Sequence, residues 1–213
     1  MAELSIYLPG ILLAYSAFLL SIMSPGPNVL AILGTSMSAG RRPGLGLATG
    51  VAAGSFCWAL LTVTGLSALL AAYAAALTVI KVVGGLYLLW LAFKAFRSAA
   101  SKHDIAATTL AGAPRSPLGY FLRGYTIQMT NPKAALAWVA IISLGLQPDA
   151  PLWVGFVIVA GTSLLSLAIH LVYALAFSTA AMLRLYGRAR RWIQAALGLF
   201  FGFAGLKLLG SRL

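Results

Sequence analysis

Three short stretches place residues capable of chemistry where an apolar chain has little other use for them. SPGPN sets Pro25, Gly26, Pro27 and Asn28 inside a hydrophobic run, and NPK does the same with Asn131, Pro132 and Lys133. The third is His170, within LSLAIHLVYALAF. Pro25 and Pro27 cannot donate to the carbonyls of Ser21 and Met23, nor Pro132 to that of Gln128. At membrane depth, backbone groups freed in this way are tolerated only where protein or a wet cavity satisfies them. Half-helices restarting after Pro27 and Pro132 would turn free N–H groups and positive dipole ends toward an anion such as a carboxylate. Lys133 is then a countercharge for that carboxylate, or else a lysine that snorkels or bonds carbonyls of the break. Asn28 and Asn131 either contact substrate or cap their half-helices. His170 is a proton carrier or an interhelical hydrogen-bonder.

The elements that must position these groups follow from composition. Of 213 residues, 61% are hydrophobic and 8% charged, against roughly 25% charged in soluble domains. The chain is therefore expected to be a single all-α integral membrane domain over 1–213, with six spans. These are Ile11–Ala39, Leu45–Leu70, Leu77–Phe96, Leu118–Leu146, Leu152–Met182 and Ile193–Leu209. The first and fourth each hold 29 residues, about 44 Å of continuous helix at 1.5 Å per residue. The hydrocarbon core is only about 30 Å thick, and both proline motifs fall near the middle, so helices 1 and 4 are expected to be broken. No cleavable signal peptide is expected, because MAELSIYLPG lacks a basic n-region.

The formal charge of +12 does not point to nucleic acid, because the cations sit between the spans. Arg41, Arg42, Arg97, Lys102, Arg115, Arg123, Arg184, Arg188, Arg190 and Arg191 all fall on one side of six alternating spans. The positive-inside rule makes that side cytoplasmic and puts both termini outside. The membrane lipid is one expected partner, and no nucleic acid is expected. The carboxylates are Glu3, Asp104 and Asp149, all outside the spans, and no Cys/His cluster has metal spacing. No cofactor, metal site or catalytic grouping is therefore expected, which argues against an enzyme. Cys57 reads as a small buried hydrophobe.

The two halves of the chain answer each other. IKVVGGLYLLWLAFKAF from Ile80 aligns without gaps with IQAALGLFFGFAGLKLL from Ile193, matching Ile80, Gly85, Leu86 and Lys94 to Ile193, Gly198, Leu199 and Lys207. IMSPGPNVLA is echoed by QMTNPKAALA. Pairing span one with four and three with six defines a three-helix unit, about 1–100 and 115–213. An odd number of spans per unit makes the two repeats inverted. Gly46, Gly50 and Gly54 form GxxxGxxxG, which brings helices close within one protomer or across a homodimer.

At SPGPN, GRRPGLGLATGVAAG, NPKAALAW and GGLYLLWLAFKAF the sequence resembles the LysE/RhtB family of bacterial amino-acid exporters. The resemblance implies a six-helix inner-membrane protein that exports amino acids or close derivatives, driven by the proton motive force. The family's signature positions fall on Pro25, Gly26, Pro27, Asn28, Asn131, Pro132 and Lys133, which are the residues expected to bind the substrate. Two departures bear on mechanism. Many relatives carry an aspartate where this chain has Ser55, and Pro-Gln where it has Ser143 and Leu144. Without a membrane carboxylate, proton coupling would fall to His170, Lys133 or the substrate itself, and Ser55 becomes a candidate contact. The expected function is secondary export of an amino acid or similar small zwitterion. The alternatives are a passive channel and an exporter of some other small solute.

Overall fold

The structure is a computed structural model describing residues 2–24, 26–72, 75–101, 115–147 and 150–210. Among the described residues it contains eight helices and no strand: α1 (Ala2–Met23), α2 (Pro27–Ser38), α3 (Arg41–Ala72), α4 (Ala75–Ala100), α5 (Pro117–Met129), α6 (Pro132–Gly145), α7 (Leu152–Ala176) and α8 (Ala180–Gly210). Five helices have apolar windows long enough to cross a membrane, and Lys133–Gly145 is a shorter apolar helix. At 13 and 14 residues, α5 and α6 each fall short of the roughly 20 a span requires. Together they cover the residues of the fourth expected span, interrupted at Thr130 and Asn131. The first expected span is likewise two helices, α1 and α2, separated near Ser24–Gly26. Pro25 lies outside the described residues.

Proline starts these helices more than it ends them. Pro27, Pro117 and Pro132 occupy the first turns of α2, α5 and α6, where a missing N–H costs nothing because that donor has no helical partner anyway. Ser116 caps α5, its hydroxyl accepting from the Gly119 amide at 3.1 Å.

Three boundaries differ most from the sequence expectation. The first helix begins at Ala2 rather than Ile11 and runs through Pro9 and Gly10. Gly10 serves a crossing, since a Cβ there would lie 2.7 Å from the Gly145 carbonyl oxygen of α6. The arginine-rich segment 184–191, expected as a loop, forms the opening turns of α8, and α7 stops at Ala176 rather than Met182. Arg, Ala and Leu are good helix formers, so RLYGRARRW continues a helix even though its charges keep it out of the hydrocarbon. Arg41 Nε donates to the Ser178 hydroxyl at 3.0 Å, which fixes the start of α3 beside the α7–α8 turn.

Small residues set the closest packings. Gly46, Gly50 and Gly54 face α5 of the same chain. A Cβ on Gly50 would fall on the Phe121 carbonyl, one on Gly54 would lie 2.9 Å from Gln128 Cβ, and one on Gly124 of α5 would meet the Leu47 carbonyl. Helices α4 and α8 pack antiparallel: Gly85 lies against Gly205 and Leu209, and Gly198 against the Phe96 ring. The largest buried cluster joins Ile11 and Phe18 of α1, Leu88 of α4, Ile142 of α6, Ile158 of α7 and Phe201 of α8. Leu164, Leu199 and Leu206 stay exposed on the outer surface, as suits side chains that face lipid.

Candidate functional site

The two helix breaks meet, and two hydrogen bonds tie them together. Lys133 Nζ donates to the Ser24 carbonyl at 2.9 Å, so the ammonium closes the C-terminal end of α1 from the first turn of α6. Asn28 Nδ2 donates to Gln128 Oε1 at 3.0 Å, joining the start of α2 to the end of α5. One bond therefore links the halves leading away from the basic face, and the other links the halves leading toward it.

The backbone groups around the breaks are accounted for by distinct means. The Gln128 carbonyl, which Pro132 cannot reach, accepts from the Trp58 indole Nε1 at 3.2 Å and from the Asn131 amide at 3.3 Å. Asn131 caps α6: its side-chain oxygen accepts from the Lys133 amide at 3.1 Å, and its backbone carbonyl accepts from the Ala134 amide at 2.9 Å. The Lys133 carbonyl accepts from the Tyr87 hydroxyl at 2.9 Å, which holds the first turn of α6 against α4. The start of α2 is built differently. Its N-cap is Gly26 in extended conformation (φ −140°, ψ 176°), with no side-chain cap. Asn28 thus leaves its own helix end open and spends its amide on Gln128. A Cβ on Gly26 would sit 3.1 Å from Asn28 Oδ1 and 3.4 Å from Lys133 Nζ, so the ammonium lies beside the N-cap of α2, which has no side-chain cap. A cation and a positive dipole end side by side make a place for a carboxylate.

Asn28, Ser55, Gln128, Asn131, Lys133 and His170, together with Ser21, line one small space of about 40 Å³. That volume admits a few waters and is too small for an amino acid. His170 is 1% exposed. Its Nδ1 lies 2.8 Å from the Ser166 carbonyl and 3.2 Å from the Ser166 hydroxyl. A carbonyl only accepts, so Nδ1 carries the hydrogen in the neutral ring, and the lone pair sits on Nε2, which has no hydrogen-bond partner among the described residues. An imidazole fixed in this tautomer can accept a proton or an ammonium N–H at Nε2. Ser55 is also buried.

On the other side of Lys133 lies a larger cavity, of about 430 Å³, which Gly26, Pro27, Asn131 and Lys133 also line. Of the residues expected at the site, Asn28, Ser55, Asn131, Lys133 and His170 thus share the small space, while Gly26 and Pro27 face the large one. Pro132 opens α6. Gln128, Tyr87 and the Ser24 carbonyl were not expected there. Gln128 stands four residues before Pro132, at the carbonyl the proline cannot reach, and that spacing was the available signal. Trp138 of α6 borders the small space and packs on Phe18, with ring centroids 5.3 Å apart.

The Asn28–Gln128 bond should register as coupling. Asn28→Ala and Gln128→Ala are each expected to lower thermal stability in detergent, with a coupling of about 0.5–1.5 kcal/mol in the double variant, the range of side-chain bonds between membrane helices. Strict additivity would mean that the bond carries no weight.

The profile of the LysE type translocator family matches residues 19–212. An "Uncharacterized membrane protein YahN" of Escherichia coli (strain K12) is 30% identical over 95% of this chain and 90% of its own length. A "Threonine efflux protein" of Salmonella typhi is 32% identical over 91% of this chain and 94% of its own. A "Leucine efflux protein" of Enterobacter sp. (strain 638) is 28% identical over 86% and 87%. No solved structure matches the chain.

Proposed function

We propose that this chain, which belongs to the LysE type translocator family, exports an amino acid or a similar small zwitterion across the bacterial inner membrane. It is a multi-pass membrane transporter rather than an enzyme. The observation that carries the substrate reading is Lys133 Nζ, placed between two cavities, beside the N-cap of α2, and bonded to a backbone carbonyl. A lysine at the centre of a membrane helix costs about 2.5–3.5 kcal/mol on insertion scales. Among the described residues its hydrogen-bond partner is a neutral carbonyl, which leaves the charge for a substrate carboxylate to neutralise.

Binding would then move the helices. A carboxylate drawing Lys133 Nζ away from Ser24 loosens α1 from α6, and the Asn28–Gln128 bond between α2 and α5 becomes the other half of a pair of ties. Breaking one while keeping the other opens one side of the site at a time. Two inverted three-helix repeats rocking about α4 and α8 would supply that motion, with the basic face toward the cytoplasm. His170 Nε2 is the acceptor available for a coupled proton, and it shares the small space with Ser55 and Lys133.

The test is counterflow in proteoliposomes preloaded with single amino acids, followed with labelled leucine, threonine, homoserine and lysine, with and without a pH gradient. The expected result is saturable exchange that the gradient accelerates, and His170→Asn should exchange without responding to the gradient. Unsaturable flux without exchange would make the protein a channel. Folded protein that exchanges none of the twenty amino acids would move the proposal to another solute.

A further inference from the structure

The larger cavity holds a second ammonium. Lys94 of α4 lines it together with Lys133 of α6. Among the described residues that line this space there is no carboxylate. Lys94 Nζ stands 4.6 Å from the centroid of the Trp90 ring. A ring quadrupole orients an ammonium without neutralising it, just as the Ser24 carbonyl orients Lys133. The space thus has two oriented cations on its wall, Lys94 at its exposed rim and Lys133 at its inner end, with no carboxylate among the described lining residues. The rest of the wall is mostly apolar, with Trp90, Leu91 and Leu136. Gln194 of α8, buried at 2% exposure, adds an amide that can accept from an ammonium. The volume of about 430 Å³ takes an amino acid with room for water.

Position gives this cavity a direction. Lys94 and Ser98 lie in the last two turns of α4, near Arg97, and Gln194 follows directly on the arginine-rich start of α8. The cavity thus reaches from the helix breaks toward the basic face, and Lys133 is the residue it shares with the small space beyond.

We infer that this cavity is a loading site for neutral amino acids with apolar side chains. Lys94 receives the carboxylate first, Trp90 and Leu136 cover the side chain, and Gln194 accepts from the α-ammonium. The carboxylate then passes to Lys133. Lys94 is accordingly a specificity-determining residue: two cations on one cavity repel a substrate whose side chain carries a further positive charge. This inference rests on the export reading above and adds to it the substrate class and the entry residue.

The experiment uses inside-out membrane vesicles containing the full chain, with labelled leucine supplied to the basic face. In the wild type, unlabelled norleucine should compete and unlabelled lysine should not; equal competition by the two would overturn the assigned substrate class. Lys94→Gln should raise the apparent KM for leucine about tenfold, the weight of one charge-assisted contact, with the maximal rate changed less than twofold. It should also let lysine compete. Lys94→Arg should keep the wild-type KM, and its behaviour separates lost charge from lost fold. An unchanged KM and an unchanged lysine exclusion in Lys94→Gln, in vesicles where the wild type exchanges leucine, would overturn the loading site and leave export standing. A wild type that exchanges no amino acid would remove the export reading and this inference with it.

Discussion

Lys133→Met is expected to abolish export while leaving folded protein in the membrane. Truncating one partner of a buried, hydrogen-bonded charge pair costs about 2–5 kcal/mol, so transport should fall between about 30-fold and several thousandfold. Folding should barely change, because two effects oppose each other. Losing the ammonium relieves its insertion cost of about 2.5–3.5 kcal/mol, and the Ser24 carbonyl, left without Nζ, costs about 1–3 kcal/mol. Methionine keeps most of the lysine stem's volume, so the Tyr87–Lys133 backbone bond and the Asn131 cap should persist. Transport by purified protein and its melting temperature in detergent separate the two effects. A large loss of both would make Lys133 a structural cap of α1 and nothing more.

Gly50→Val should do the reverse and remove the folded protein. A Cβ at Gly50 falls on the Phe121 carbonyl, with the Tyr125 amide 2.9 Å away. Both neighbours are backbone of α5, which no rotamer change can move. Overpacking ordinarily costs about 1–3 kcal/mol, and a backbone obstacle puts this case at or above the upper end. Parting α3 from α5 would also displace Gln128, which Trp58 and Asn28 reach from α3 and α2. Monodisperse protein yield in detergent should drop severalfold, and what remains should melt well below the wild type. Normal yield and melting would mean that α3 and α5 do not cross this closely.

The comparison of these two residues shows what the sequence makes legible. The glycine stripe on α3 declares a close crossing by its spacing alone, but not which helix it meets; the partner α5 comes from the packing. The breaks are legible because proline and Asn-Pro interrupt apolar runs, and Lys133 because a charge there needs a reason. Its partner is not legible, since the Ser24 carbonyl is a backbone atom that any residue could supply. Asn28 and Asn131 look equivalent in sequence, yet Asn131 caps α6 while Asn28 leaves α2 uncapped and reaches Gln128. Tertiary approach of α5 to α2 decides that difference. Lys94 stands out in sequence only as the repeat match of Lys207, and the fold of α4 beside α6 and α8 puts it on a cavity with Lys133. The start of α8 is misread because charge was taken as the mark of a loop, whereas arginine is compatible with helix.

The central claim is that Lys133 holds the substrate carboxylate, and competition by carboxyl-modified analogues tests it most directly. Exchange of labelled leucine by reconstituted wild-type protein should be inhibited by unlabelled leucine and hardly at all by leucinol or leucinamide, which keep the ammonium and side chain but lack the carboxylate. Leucinol competing as well as leucine, in protein that exchanges leucine saturably, would contradict the account and leave Lys133 without a substrate to bind.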